Sequence, residues 1–99
     1  MTDYVFSPRA LADIEEIWDY TERRWDADQA ERYNRVLKQG IEQVARDPRR
    51  GRSCDHIRLG YRKYSIGSHV VFFRVLKERI EVVRILHRAW ISSSICEVV

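Results

Sequence analysis

Apolar positions divide the chain into two regimes. Before Asp47 they recur at steps of three and four, as in amphipathic helices; from Ile57 onward they alternate with polar positions, as in half-buried strands. A short β-branched and aromatic run, Asp3 to Phe6, precedes both and reads as a first strand that stops at Ser7-Pro8. Ser7 can accept the free amide hydrogens of a helix start, and Pro8 loses nothing at the first helical position, so a helix is expected to begin there.

The stripe of that helix is Leu11, Ile14, Ile17, Trp18, Thr21 and Trp25, with Asp13, Glu15 and Glu16 in the early turns where the helix dipole favours acids. Trp18 and Trp25 are expected to be core residues, and any part of the helical groove left exposed is a natural dock for a partner helix. The Asp26-Ala27-Asp28 corner supplies N-caps for a second helix with the stripe Ala30, Tyr33, Leu37, Gly40, Ile41 and Val44. Acid-then-base pairs at i, i+4, among them Asp19 with Arg23 and Glu31 with Arg35, support the solvated faces by about 0.2–0.5 kcal/mol each. The helix ends by about Asp47, because Pro48 disfavours a helical residue before it.

Pro48 to His56 has turn residues and no period, so it is expected to be a loop, made basic by Arg49, Arg50 and Arg52. In the alternating half, His69, Val71, Phe73 and Val75 point one way while Val70, Phe72 and Arg74 point the other. Ile66-Gly67 marks one reversal and Lys77-Glu78 a second. In the last strand Ile80, Val82, Arg84 and Leu86 alternate with Glu81, Val83, Ile85 and His87. The order β-α-α-β-β-β predicts an α+β fold, a two-helix hairpin packed on one face of a mainly antiparallel sheet, as a single domain over residues 1–99.

Charge changes this picture more than composition does. The chain has a formal net charge of +3, but residues 1–47 hold seven Lys/Arg against eleven Asp/Glu, while residues 48–99 hold eleven against four. The strand half is therefore a basic surface suited to an anionic partner. Cys54 and Cys96 have no CxxC spacing, so they are expected to be free thiols of a reducing cytosol, and neither a metal site nor a cofactor is expected. The N-terminal MTDYVFSPRA lacks a signal pattern, and no apolar run approaches the roughly 20 residues that span a bilayer, so a soluble cytoplasmic protein without membrane partners is expected.

SPRALADIEEIWDYTERRW, QAERY, DPRRGR, IRLGYRKYSIGSHVVFFRV and VVRILH, in that order, resemble the ParE branch of the RelE/ParE toxin superfamily from residue 4 to about 88. The resemblance implies a RelE/ParE-like fold and the toxin of a type II toxin-antitoxin system of the kind tied to plasmid stabilisation. It implies neutralisation by a ParD-like antitoxin, DNA gyrase as the target, and no direct sequence-specific DNA binding by the toxin alone. The residues matched to target binding are Arg58, Tyr61, Arg62, Arg84, His87, Arg88 and Trp90. Those matched to antitoxin binding are Trp18, Trp25, Tyr33 and Leu37.

RelE relatives cleave mRNA on the ribosome, which makes an mRNA endonuclease the alternative. Attack by a 2′-OH needs a base, an acid and cations around the phosphate. Tyr61, Lys63 and Tyr64 lie in the same strand as the cation Arg62, and the alternative set is Arg62, Arg74, Arg84 and His87, with the imidazole of His87 as the candidate proton carrier. No carboxylate stands near His87 in sequence, and the chain continues HRAWISSSICEVV without the closing His-Tyr or lone Tyr of several nucleases, so no firm catalytic set is assigned. His69 reads as a structural turn or strand residue. Trp90 to Val99 departs from the usual family ending and is expected to be poorly specified by the fold.

Overall fold

The structure, a computed structural model, describes residues 3–91. Ser7 accepts the amide hydrogen of Ala10 at 3.1 Å and opens helix α1, Pro8–Arg24. The same residue ties the helix to the sheet, its amide donating to the Val82 carbonyl at 2.9 Å and its hydroxyl to that of Val83 at 2.7 Å. Asp26 caps α2, Ala27–Arg46, by accepting from Gln29 at 2.7 Å. Glu31 and Arg35 pair at 2.8 Å as expected, whereas Arg23 bonds the Asp19 backbone carbonyl and Arg32 bonds Gln29.

The strands are β1 (Asp3–Phe6), β2 (Arg52–Ser53), β3 (Tyr61–Ile66), β4 (His69–Val75) and β5 (Arg79–His87). They form one sheet in the order β1-β5-β4-β3-β2, with β1 parallel to β5 and the other neighbours antiparallel. Ile66 faces His69 across a two-residue turn whose Gly67 has φ 57°, the left-handed region that favours glycine.

Three expectations need correction. The Pro48 to His56 loop contains a 3-10 turn, Pro48–Arg50, and the two-residue strand β2. The residues from Ile57 to Gly60 are loop, and the strand starts at Tyr61. Strict alternation fails in β5: Phe72 pairs with Arg84 but Phe73 with Val82, so Val83 is an extra residue in a bulge. Ile80, Val82 and Ile85 therefore share the helix-covered face, and Leu86 lies on the other.

Both faces of the sheet carry a core. On one, Ile17, Leu37, Ile41 and Val44 of the helices bury Val71, Phe73, Ile80, Val82 and Ile85. On the other, Val70, Phe72 and Leu86 are sealed with Cys54, a free and buried thiol, under Ile57, Tyr61 and Ile91. Cys96 and the tail beyond Ile91 lie outside the described residues.

The aromatic stripe of α1 also departs from expectation. Ala10, Asp13 and Ile17 are buried, whereas Leu11 is 51% and Trp25 65% exposed. At about 100° per residue, Leu11, Trp18 and Trp25 fall within roughly 40° of each other, but Ile17 lies about 120° from Leu11. The sequence stripe is thus wider than the face the sheet can cover. Its Ala10/Ile17 margin is core, while along the Leu11/Trp18/Trp25 ridge Leu11 and Trp25 are turned outward and Trp18 is half-buried.

Candidate functional site

The bulge at Val83 re-aims the end of β5 toward α1, and a cleft of about 350 Å³ opens between them. Its floor is an ion pair. Asp13 accepts from Arg84 Nε at 2.8 Å and Nη2 at 2.9 Å, and one of its oxygens also accepts the Ile85 amide hydrogen at 2.9 Å. The side chains are 8% and 15% exposed. The bidentate bond to Asp13 raises the pKa of Arg84 above its ordinary value, against the effect of burial.

Glu16, Ile17, Tyr20, His69 and His87 form the cleft walls. The Tyr33 hydroxyl accepts from the Ser68 amide at 3.0 Å, which leaves its hydrogen for His69 Nδ1 at 2.5 Å. With Tyr33 as the donor in this bond, the matching form of His69 is the neutral tautomer protonated on Nε2. Its ring meets His87 edge-on at 5.2 Å, and His87 Nδ1 accepts from Ala89 at 3.1 Å, capping the turn Arg88–Trp90.

Burial, and secondarily the nearby His87, lowers the His69 pKa from 6.5 to about 4, while Asp13 acts in the opposite sense. Between those values the unfolded chain binds a proton at this position and the folded one does not, so the stabilisation is complete above pH 6.5 and declines toward pH 4. In denaturant melts, His69→Asn is expected to lose part of the wild-type fall in midpoint between pH 7 and pH 5. Equal slopes for both proteins would contradict this assignment.

The remaining sheet cations are held elsewhere. Arg62 donates to the carbonyls of Pro48 at 3.2 Å and Gly51 at 2.6 Å, stapling the loop before β2. Arg74 pairs with Glu81 across the strands at 2.5 Å. Arg88 donates to the Gly67 carbonyl at 2.8 Å. Of the alternative catalytic set, Arg84 and His87 share the cleft, while Arg62 and Arg74 do not line it. Arg58 is exposed on the loop before β3, and Tyr61, partly buried, packs against the second core. Among the described residues no group of three His, Cys, Asp or Glu side chains is placed to hold a metal, and no helix is long and apolar enough to cross a membrane.

Of the residues matched to antitoxin binding, Trp25 is exposed and Trp18 half-buried, with its indole N–H on Glu22 at 3.3 Å. Tyr33 is half-buried and engaged with His69 and Ser68. Leu37, at 3% exposure, is a core residue at the centre of the α2 stripe facing the sheet, and it also lines an apolar cleft with Tyr4, Phe6 and Ile14. Asp13 is the residue that sequence reasoning misplaced. Its signal was present, a carboxylate three residues after buried Ala10 and four before buried Ile17, on the inward face of α1.

The sequence profile described as "ParE toxin of type II toxin-antitoxin system, parDE" matches residues 4–90. The chain is 56% identical over 86 residues to "Toxin ParE1" of Mycobacterium tuberculosis, covering 86% of this chain and 88% of that one. It is 45% identical over 89 residues to "Toxin ParE1" of Caulobacter vibrioides, covering 90% and 92%. A solved structure described as "Chromosomal ParDE TA system from P. aeruginosa" shares the fold, with a TM-score of 0.76 at 18% identity over 88% of this chain and 96% of that one. The helix hairpin on a mixed sheet and the residue-by-residue likeness lead to one assignment: the chain belongs to the ParE toxin family of parDE type II toxin-antitoxin systems.

Proposed function

We propose that this chain stops growth in the cytoplasm by binding DNA gyrase, without turnover of its own, and that a ParD-like antitoxin holds it inactive. The observation that carries the binding reading is the engagement of the sheet cations. Arg62 is on loop carbonyls, Arg74 on Glu81 and Arg84 on Asp13, which favours a rigid basic surface over a set of cations converging on one phosphate. Arg58 and Tyr61 at one end of the sheet, and His87 at the end of β5 with Arg88 just after it, form the target-facing groups, with Arg62 and Arg84 positioning the elements that carry them; the side chain of Trp90 lies outside the described residues.

For the antitoxin, the Leu11/Trp18/Trp25 ridge is the docking face. Its seven-residue spacing suits a partner helix, and the names of the relatives and of the solved ParDE structure support a partner of this kind. In a translating extract, mRNA is expected to stay intact with the purified protein present. Ribosome-dependent cleavage would favour the endonuclease reading instead.

A further inference from the structure

The segment between β2 and β3 is loop in secondary structure but not in rigidity. The Cys54 amide donates to the Tyr61 carbonyl at 2.9 Å, and the Cys54 carbonyl accepts from Ile57 at 2.9 Å and Arg58 at 3.1 Å. Tyr61 returns a bond to the Arg58 carbonyl at 3.1 Å, and the Gly60 amide donates to Asp55 Oδ1 at 2.8 Å. Gly60, with φ 85°, makes the sharp return into β3. Cys54 and Ile57 pin the segment to the second core.

On this pinned scaffold Leu59 projects with 88% of its surface exposed, the most exposed of the large apolar side chains described. A leucine on a flexible tip would be unremarkable. Here the backbone that carries it is fixed by five hydrogen bonds, by the buried Cys54 and by the partly buried Ile57, so little ordering entropy opposes its insertion into a partner. The surroundings are basic. Arg58 precedes it, Arg52 and Lys63 are cross-strand partners on the same sheet face, and the acid of the segment, Asp55, is engaged in holding Gly60.

We infer that Leu59 is the anchor by which the toxin grips its target, entering an apolar pocket on a protein whose rim is acidic. The inference rests on the binding reading above and names the chemistry of the target's side of that contact. A pinned apolar side chain on a basic segment fits a carboxylate-rimmed protein pocket. Nucleic acid, which is gripped through phosphates and stacked bases, gives an aliphatic side chain no comparable seat.

Leu59→Ser and Leu59→Met are compared with wild type by induced expression without antitoxin, melting temperature and co-purification with a co-expressed ParD-like antitoxin. Leu59→Ser is expected to keep its melting temperature and its antitoxin, and to need about tenfold more protein to arrest growth; Leu59→Met is expected to arrest like wild type. Growth arrest by Leu59→Ser at wild-type levels would overturn the inference. So would loss of antitoxin binding with toxicity kept, or a fall in melting temperature large enough to account for lost arrest. If the wild type arrests growth yet leaves gyrase untouched, the gyrase reading fails while the Leu59 comparison still stands. If the wild type does not arrest growth, both fall.

Discussion

Asp13→Ala is expected to lower stability by about 3–5 kcal/mol, the range for removing one partner of a buried ion pair. The reason is geometric. Asp13 accepts three hydrogen bonds at 2.8–2.9 Å, and truncation removes two bonds from the Arg84 guanidinium and leaves the Ile85 amide without its acceptor. For a domain of this size that corresponds to a fall in melting temperature of at least about 12 °C. The double change Asp13→Leu with Arg84→Met is expected to recover much of the loss, since apolar replacement of a buried pair is often neutral. Recovery stays incomplete because the Ile85 amide still lacks a partner. An Asp13→Ala protein melting within a few degrees of wild type would show that the pair does not form in solution.

Phe72→Ala is the second large effect, at about 3–5 kcal/mol. Phe72 is fully buried although neither α1 nor α2 covers its face of the sheet; Cys54, Val70 and Leu86 pack with it beneath the Cys54 to Gly60 segment. Phe73→Ala, on the helix side, is expected to cost a similar amount. Were the open face solvated, as in many antiparallel sheets, Phe72→Ala would cost less than about 1 kcal/mol. Denaturant midpoints of the two variants decide between these descriptions.

Local signals in the chain were those that a few neighbouring residues determine. Ser7-Pro8 opens α1 because cap and proline act within one turn, and Gly67 turns β3 into β4 because the required φ belongs to that residue alone. What could not be read locally depends on distant partners. The parallel pairing of β1 with β5 joins residues 3–6 to residues 79–82, and no pattern within Asp3 to Phe6 encodes it. The bulge at Val83 breaks a two-residue period in a run, Val82-Val83-Arg84-Ile85, that reads equally well without it.

Site residues divide in the same way. Arg62, Arg84 and His87 were legible as a basic, strand-borne group with Arg88 just beyond it, but their partners were not. Gly51, Asp13, His69 and Gly67 reach them through the fold rather than the sequence. The Trp18/Trp25 ridge illustrates the limit of periodicity, which finds an apolar stripe but not which margin of it the sheet covers. Leu59 carried no pattern at all. Its interest comes from a rigid loop that only the three-dimensional hydrogen bonding reveals.

The most direct test of the central claim is a supercoiling assay with purified DNA gyrase, relaxed plasmid and ATP, titrated with the folded protein. Loss of supercoiling at near-stoichiometric protein, reversed by adding the antitoxin, is the predicted result. Undiminished supercoiling at large molar excess, with mRNA cut in a translating extract, would contradict it.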